Sequence, residues 1–138
     1  MQTVTQTAPV SNKAIWAGRV ISALPVLLLV FSASMKIAEP PAVVRGFTKF
    51  GYPEHLIRVI AILELSCTVI YIIPRTSVLG AILLTGYLGG ATATHARISD
   101  PAFVMPVLVG ILVWLGLFLR DNRLRALIPL RRPVLHSI

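Results

Sequence analysis

Apolar residues run along this chain in four long blocks separated by short polar breaks. Residues 20–35 carry no charge, and the block reaches back to Ile15 once Arg19 extends its guanidinium to the headgroups. Residues 59–73 hold one charge, Glu64, and their apolar pattern starts at His55 with Arg58 near its outer end. Residues 76–94 and 102–119 hold none. Read as helices over 15–35, 55–73, 77–96 and 103–119, each block is close to the roughly 20 residues that cross a hydrocarbon core. No block alternates polar and apolar positions, and backbone groups in lipid need a helix or a closed barrel. The pattern predicts an all-α fold, a bundle of four transmembrane helices.

Helix ends are marked by residue chemistry. Pro53 and Glu54 open the second block, with proline at a first-turn position and an acid at the positive dipole end. Pro74 closes it, Thr76 or Ser77 can cap the third, and Asp100-Pro101 starts the fourth. Pro25 and Pro106 fall inside blocks and predict kinks. The chain then divides into a disordered tail over residues 1–13, a membrane domain over 14–119 and a basic cytoplasmic tail over 120–138. Only the first loop, residues 37–52, is long enough for structure of its own. Lys13 and Arg19 precede the first apolar block as they would in a signal peptide. The length of the block and the Lys36 behind it argue for a retained helix.

Composition agrees. At 138 residues the chain has room for one domain. It is 56% hydrophobic and 13% charged, where soluble domains carry about 25% charge. Mean hydropathy is +0.82. Lys and Arg number 13 against 5 acids, net +8, but the bases flank apolar blocks and do not gather with aromatics as nucleic-acid binding requires. The lipid bilayer, not nucleic acid, is the expected partner. With both termini on one side, that side holds Lys13, Arg19, Arg75, Arg120, Arg123, Arg125, Arg131 and Arg132. The other side holds Lys36, Arg45, Lys49, Arg58 and Arg97, so the balance predicts cytoplasmic termini. The arginines of the tail surround Leu124, Leu127, Ile128 and Leu130. That suits a segment lying on an anionic leaflet as well as it suits a solvated tail. Cys67 is the one cysteine, which excludes an internal disulfide and a thiolate metal cluster.

An ionised side chain inside the bilayer costs at least about 2.5–3.5 kcal/mol and calls for a reason. Glu64 lies about nine residues below the outer end of its helix, roughly 13 Å deep. Ala61, Glu64, Thr68 and Tyr71 share one face by their spacing, and this small, polar stripe is expected to face the bundle interior. Lys36 and Arg97 are the two candidate cations for reaching the acid in such a bundle. Ser22, Pro25, Leu29, Ser32 and Lys36 form a second seam, although Lys36 equally suits plain snorkelling. Gly86-x-x-x-Gly90 is a helix-packing pattern compatible with a homodimer. Tyr87, Gly90, Ala91 and Thr94 line one face of the third helix. His95, Arg97 and Asp100 meet Lys36 and Glu39 at the outer side, where Ile37–Tyr52 can cover them. A single boundary histidine is more often structural than catalytic. Above a buried acid, this cluster makes a candidate ligand vestibule. The candidate ligand-binding residues are Lys36, Glu64, Tyr87, His95 and Arg97.

Several runs resemble one family. They are Ser34-Met35-Lys36, Gly51-Tyr52-Pro53, the stretch IPRTSVLGAILLTGYLGGA over residues 73–91, and Thr94-His95-Ala96-Arg97. Together they resemble the DoxX-like family of small bacterial membrane proteins, over about residues 14–132. Lys36, Tyr87, His95 and Arg97 fall within these runs and Glu64 between them. The resemblance implies a four-helix bundle in the bacterial inner membrane. It also implies a link to redox chemistry: founding relatives are named for a subunit of an archaeal thiosulfate–quinone oxidoreductase, while distant relatives are membrane assembly factors. Fold does not fix function.

Three functions stay open at this level. One is a redox-associated subunit binding a small apolar ligand, a quinone first, with His95, Arg97 or Lys36 on its oxygens and a partner protein supplying electrons. No flavin, haem or iron–sulfur signature is present, and no covalently bound cofactor is expected. The second is a proton-coupled exporter using Glu64, against which the cations near the mouth weigh. The third is a structural or assembly factor in which Glu64 and His95 only hold helices together. An acid–base enzyme using that pair is also open, and catalytic residues stay unassigned.

Overall fold

The computed structural model describes residues 10–127. Ser11 starts the first helix by accepting the N–H of Ala14 at 3.3 Å, a cap worth about 1 kcal/mol. Helix α1 then runs Asn12–Ala38, through Pro25 without interruption. At 1.5 Å per residue its 27 residues span about 40 Å, more than the hydrocarbon core, so its last turn reaches the interface. Glu39 ends it in the left-handed conformation, with its N–H on the carbonyl of Met35. Pro40 and Pro41 follow, and the long loop folds into a ten-residue helix, α2 (Pro41–Phe50).

The remaining spans are α3 (His55–Ile72), α4 (Ser77–Arg97) and α5 (Val104–Arg120), the last preceded by a short 3-10 turn, Pro101–Phe103. Four helices, counting the turn with α5, are long and apolar enough to cross a membrane. They close a ring in which α1 packs on α3 and α5, and α4 packs on the same two. Leu29, Tyr71, Leu84, Val113 and Leu117 fill its centre. Trp16, Leu27, Phe31, Ile62 and Ile111 stand exposed on the outside, the distribution of a protein whose solvent is lipid. Among the described residues there is no strand.

Glycine sets two of the close contacts. A Cβ on Gly80 would collide with the backbone of Tyr71, and one on Gly116 with Ser22. Tyr71 joins the same region: its hydroxyl donates to the carbonyl of Val113 at 2.9 Å and is hydrogen-bonded to Ser22 Oγ at 3.0 Å. Across its ring lies the Arg120 guanidinium, 5.1 Å from the centroid. Three helices are thus tied at one buried phenol.

Some sequence expectations change. Pro106 was expected to kink the fourth span, but α5 begins at Val104, so Pro106 sits in the first turn where no intrahelical N–H bond is lost. Neither Thr76 nor Ser77 caps α4 with its side chain. The Thr76 hydroxyl donates to the carbonyl of Ile70 and that of Ser77 to Pro74, tying the turn instead. Beyond α5, Asp121 accepts the N–H of Arg123 at 2.8 Å and opens a short α6 (Asn122–Leu127), while Arg125 donates to the last carbonyls of α5. Residues 1–9 of the expected disordered tail lie outside the described residues. So do residues 128–138, and with them Ile128, Leu130, Arg131 and Arg132 of the basic tail.

Candidate functional site

The polar stripe of α3 does face inward: Ala61, Glu64, Thr68 and Tyr71 are all buried. Helical side chains lean toward their own N-terminus, so Lys36, near the end of α1, turns back into the bundle and not out to the headgroups. Its ammonium donates to Ser32 Oγ at 2.5 Å and to Glu64 Oε2 at 2.8 Å. The carboxylate is 2% exposed and the ammonium side chain 14%. Of the two cations in question, Lys36 is the one that reaches Glu64.

This pair sits in the wall of a half-open cavity of about 760 Å³ bordered by α1, α3, α4 and the start of α5, with α2 over it. Most of the wall is apolar, including Leu28, Leu29, Leu63, Leu83, Leu88 and Val109. Tyr87 enters from α4, close enough to Glu64 to feel its charge, and Cys67 lies one turn below Glu64. Gly86 and Gly90 also border the space, and a Cβ on either would meet nothing within 4 Å. Their missing side chains widen the cavity on the α4 side.

At the mouth, His95 Nδ1 stands 3.1 Å from Asp100 Oδ2. An ionised carboxylate only accepts, so it fixes the neutral ring as Nδ1–H and leaves Nε2 with a free lone pair. Asp100 uses its other oxygen on the N–H of Ala102 at 3.0 Å. That backbone bond, followed by the one from His95, holds the Asp100 carboxyl below its ordinary value. Ser99 is left-handed at φ 56°, and this sharp turn brings Asp100 back beside His95.

Helix α2 covers the mouth. Val43, Val44, Phe47 and Phe50 share its half-buried face, and Phe47, Phe50 and Tyr52 line the cavity. Phe50 meets His95 edge-on with 4.7 Å between centroids. Tyr52 is hydrogen-bonded to Thr94 Oγ1 at 3.0 Å, Arg97 donates to the carbonyl of Phe50, and Arg58 pairs with Glu39 at 2.7 Å. No residue of α2 is fully buried, so these edge contacts are what hold it.

Four of the five candidate residues, Lys36, Glu64, Tyr87 and His95, therefore line one cavity. Arg97, the last residue of α4, stands outside the lining and donates to the carbonyl of Phe50 at the end of α2. Sequence reasoning passed over Phe47, Phe50 and Tyr52 as individual groups. The signal available was the helical spacing of Val43, Phe47 and Phe50, set against exposed Arg45, Thr48 and Lys49. Among the described residues, no group of three His, Cys, Asp or Glu gathers as metal ligands.

Comparison with known proteins places the chain. The family model described as DoxX-like family matches residues 20–116. No curated protein and no solved structure matches it.

Proposed function

This chain belongs to the DoxX-like family, and from that premise we propose that it binds a neutral, apolar molecule carrying hydrogen-bonding oxygens, a quinone first, in the cavity beneath α2. The observation that carries this reading is the Lys36–Glu64 pair set into an apolar wall. The charges there satisfy each other, so a charged ligand would have to break the pair. A neutral one can still accept from the remaining ammonium proton or bond the hydroxyl of Tyr87. His95 Nε2, an acceptor, offers a partner at the outer end to the hydroxyl of the reduced, quinol form. Oxygens at two ends of a flat apolar body suit this arrangement, and mostly apolar walls with few convergent polar groups are the usual form of a ligand site.

In this reading the protein is a redox-associated subunit. Glu64 exchanges the proton that accompanies quinone chemistry, and a partner protein supplies the electrons. The distribution of Arg and Lys supports an inner-membrane position with both termini in the cytoplasm. A homodimer through Gly86 and Gly90 has less support, because both glycines border the cavity. Export of a lipophilic cation by Glu64 also has less support, because the Lys36 ammonium beside the carboxylate repels such a cargo.

One observation favours a second reading, that of a structural or assembly factor: the same ion pair bridges α1 and α3. Native mass spectrometry of the gently solubilised protein, with analysis of its lipid extract, separates the two. The ligand reading expects a stoichiometric small apolar molecule, or uptake of added quinone, in wild type and its loss in Tyr87→Phe of unchanged stability. A folded bundle that arrives empty and takes up no quinone overturns it in favour of assembly.

A further inference from the structure

Beside the cavity lies a second, shallower groove of about 570 Å³ on the lipid-facing side of α4 and α5. Leu88 and Pro106 line both spaces and form the partition between them. Gly89 and Gly110 leave the groove open: a Cβ at Gly89 would meet nothing within 4 Å, and one at Gly110 would meet only Leu88 Cδ1, at 3.6 Å. One end is closed by Trp114, whose indole N–H donates to Thr85 Oγ1 at 2.8 Å. The hydroxyl of Thr92 is turned onto the carbonyl of Leu88 in its own helix. Both groove threonines are thus engaged, and the groove presents hydrocarbon.

We propose that the ligand is a lipid-like molecule with a long, linear hydrocarbon tail, its oxygen-bearing head in the cavity and its tail over Leu88 and Pro106 in the α4–α5 groove. The inference rests on the cavity reading above and adds the class of ligand and its route. On the outer side α2 covers the mouth, held by Arg97, Tyr52 and His95, whereas the groove faces the bilayer in which such a molecule dissolves. Passage between the two spaces requires movement of the Leu88 side chain, whose Cδ1 faces Gly110, where no side chain opposes it. Lipid chains are as apolar as leucine, so the groove gains little from burial as such. What it adds is packing against a tail whose position the bound head already fixes.

The test uses the full chain in lipid nanodiscs and two probes, a 1,4-benzoquinone bearing a decyl tail and the same ring bearing a methyl. Affinities are expressed as mole fraction in the membrane, so that partitioning cancels. The expected result is that wild type prefers the tailed probe by about tenfold, within what a few methylenes contribute in an apolar pocket. Gly89→Leu, which fills the groove without a clash, brings the tailed probe down to the tail-less one and leaves the latter unchanged. Gly110→Val repeats the measurement from the α5 wall should Gly89→Leu fold poorly. Equal binding of both probes by wild type overturns the inference, leaving the groove to ordinary lipid, while the cavity reading survives. Undiminished tail preference in folded groove-filling variants overturns it in the same way. If neither probe binds wild type, the cavity reading itself falls and the inference with it.

Discussion

Lys36 Nζ and Glu64 Oε2 stand 2.8 Å apart across the α1–α3 interface, both largely withdrawn from solvent. A buried pair of this kind is unforgiving when halved and tolerant when replaced whole, because one remaining charge keeps its desolvation cost without its partner. Glu64→Leu is expected to lose about 3–5 kcal/mol, and adding Lys36→Met to recover most of it. Thermal unfolding in detergent checks this. A double variant as unstable as the single one would mean that the ion pair itself, not the avoidance of a lone charge, holds α1 to α3.

The glycines of α4 differ in what surrounds them. Gly80→Ala places a methyl against the backbone of Tyr71, which cannot rotate away, and is expected to lose about 1–3 kcal/mol. Gly86→Ala meets open space and gains up to about 1 kcal/mol from helix propensity. Opposite shifts in melting temperature are the expected outcome, and equal shifts would contradict the packing described for α3 and α4.

Asp100 gives the mouth a defined response to acid. Its folded carboxyl is held below the ordinary value, by the N–H of Ala102 and then by His95. A depressed acid contributes while ionised: its contribution is complete above the unfolded value and is lost as pH falls through the lower folded one. The turn at residues 98–103 is therefore expected to stay ordered as pH falls to the usual carboxyl range and to loosen only below it. Hydrogen exchange of that turn against pH measures this, and Asp100→Asn is expected to be loose throughout. Loosening of the wild-type turn well above the carboxyl range would assign the response to another group.

Helix α2 is held at its edges, with no fully buried residue of its own. Phe50→Ala combined with Tyr52→Phe removes the ring on His95 and the bond to Thr94 and leaves the four-helix core untouched. Faster dissociation of a bound quinone at unchanged melting temperature is expected, since interface changes act mainly on dissociation. An unchanged dissociation rate would show that Phe50 and Tyr52 do not hold the ligand in the cavity.

Much of the fold was legible because its determinants are local. Four charge-poor blocks of membrane-spanning length specify four helices, and helical spacing alone turned Glu64, Thr68 and Tyr71 to the inside. The caps were less legible. Thr76 and Ser77 look like helix starts, yet their hydroxyls found nearer carbonyls in the turn. Pro106 looked like a kink because the start of α5 depends on the 3-10 turn that Asp100 opens, which hydropathy does not register.

The sequence by itself determined that this chain spans a membrane four times, that one acid lies within it, and that the polar groups able to meet that acid share one end of the bundle. Each of these follows from composition and period along a single helix. Tertiary structure alone decided that Lys36, not Arg97, takes the carboxylate, that Arg97 is spent on the carbonyl of Phe50, and that α2 folds over the opening. Those outcomes depend on the reach and direction of side chains across neighbouring helices. A pattern that repeats along one helix fixes which face is buried, but the partner each buried group meets is set by the helix packed against it.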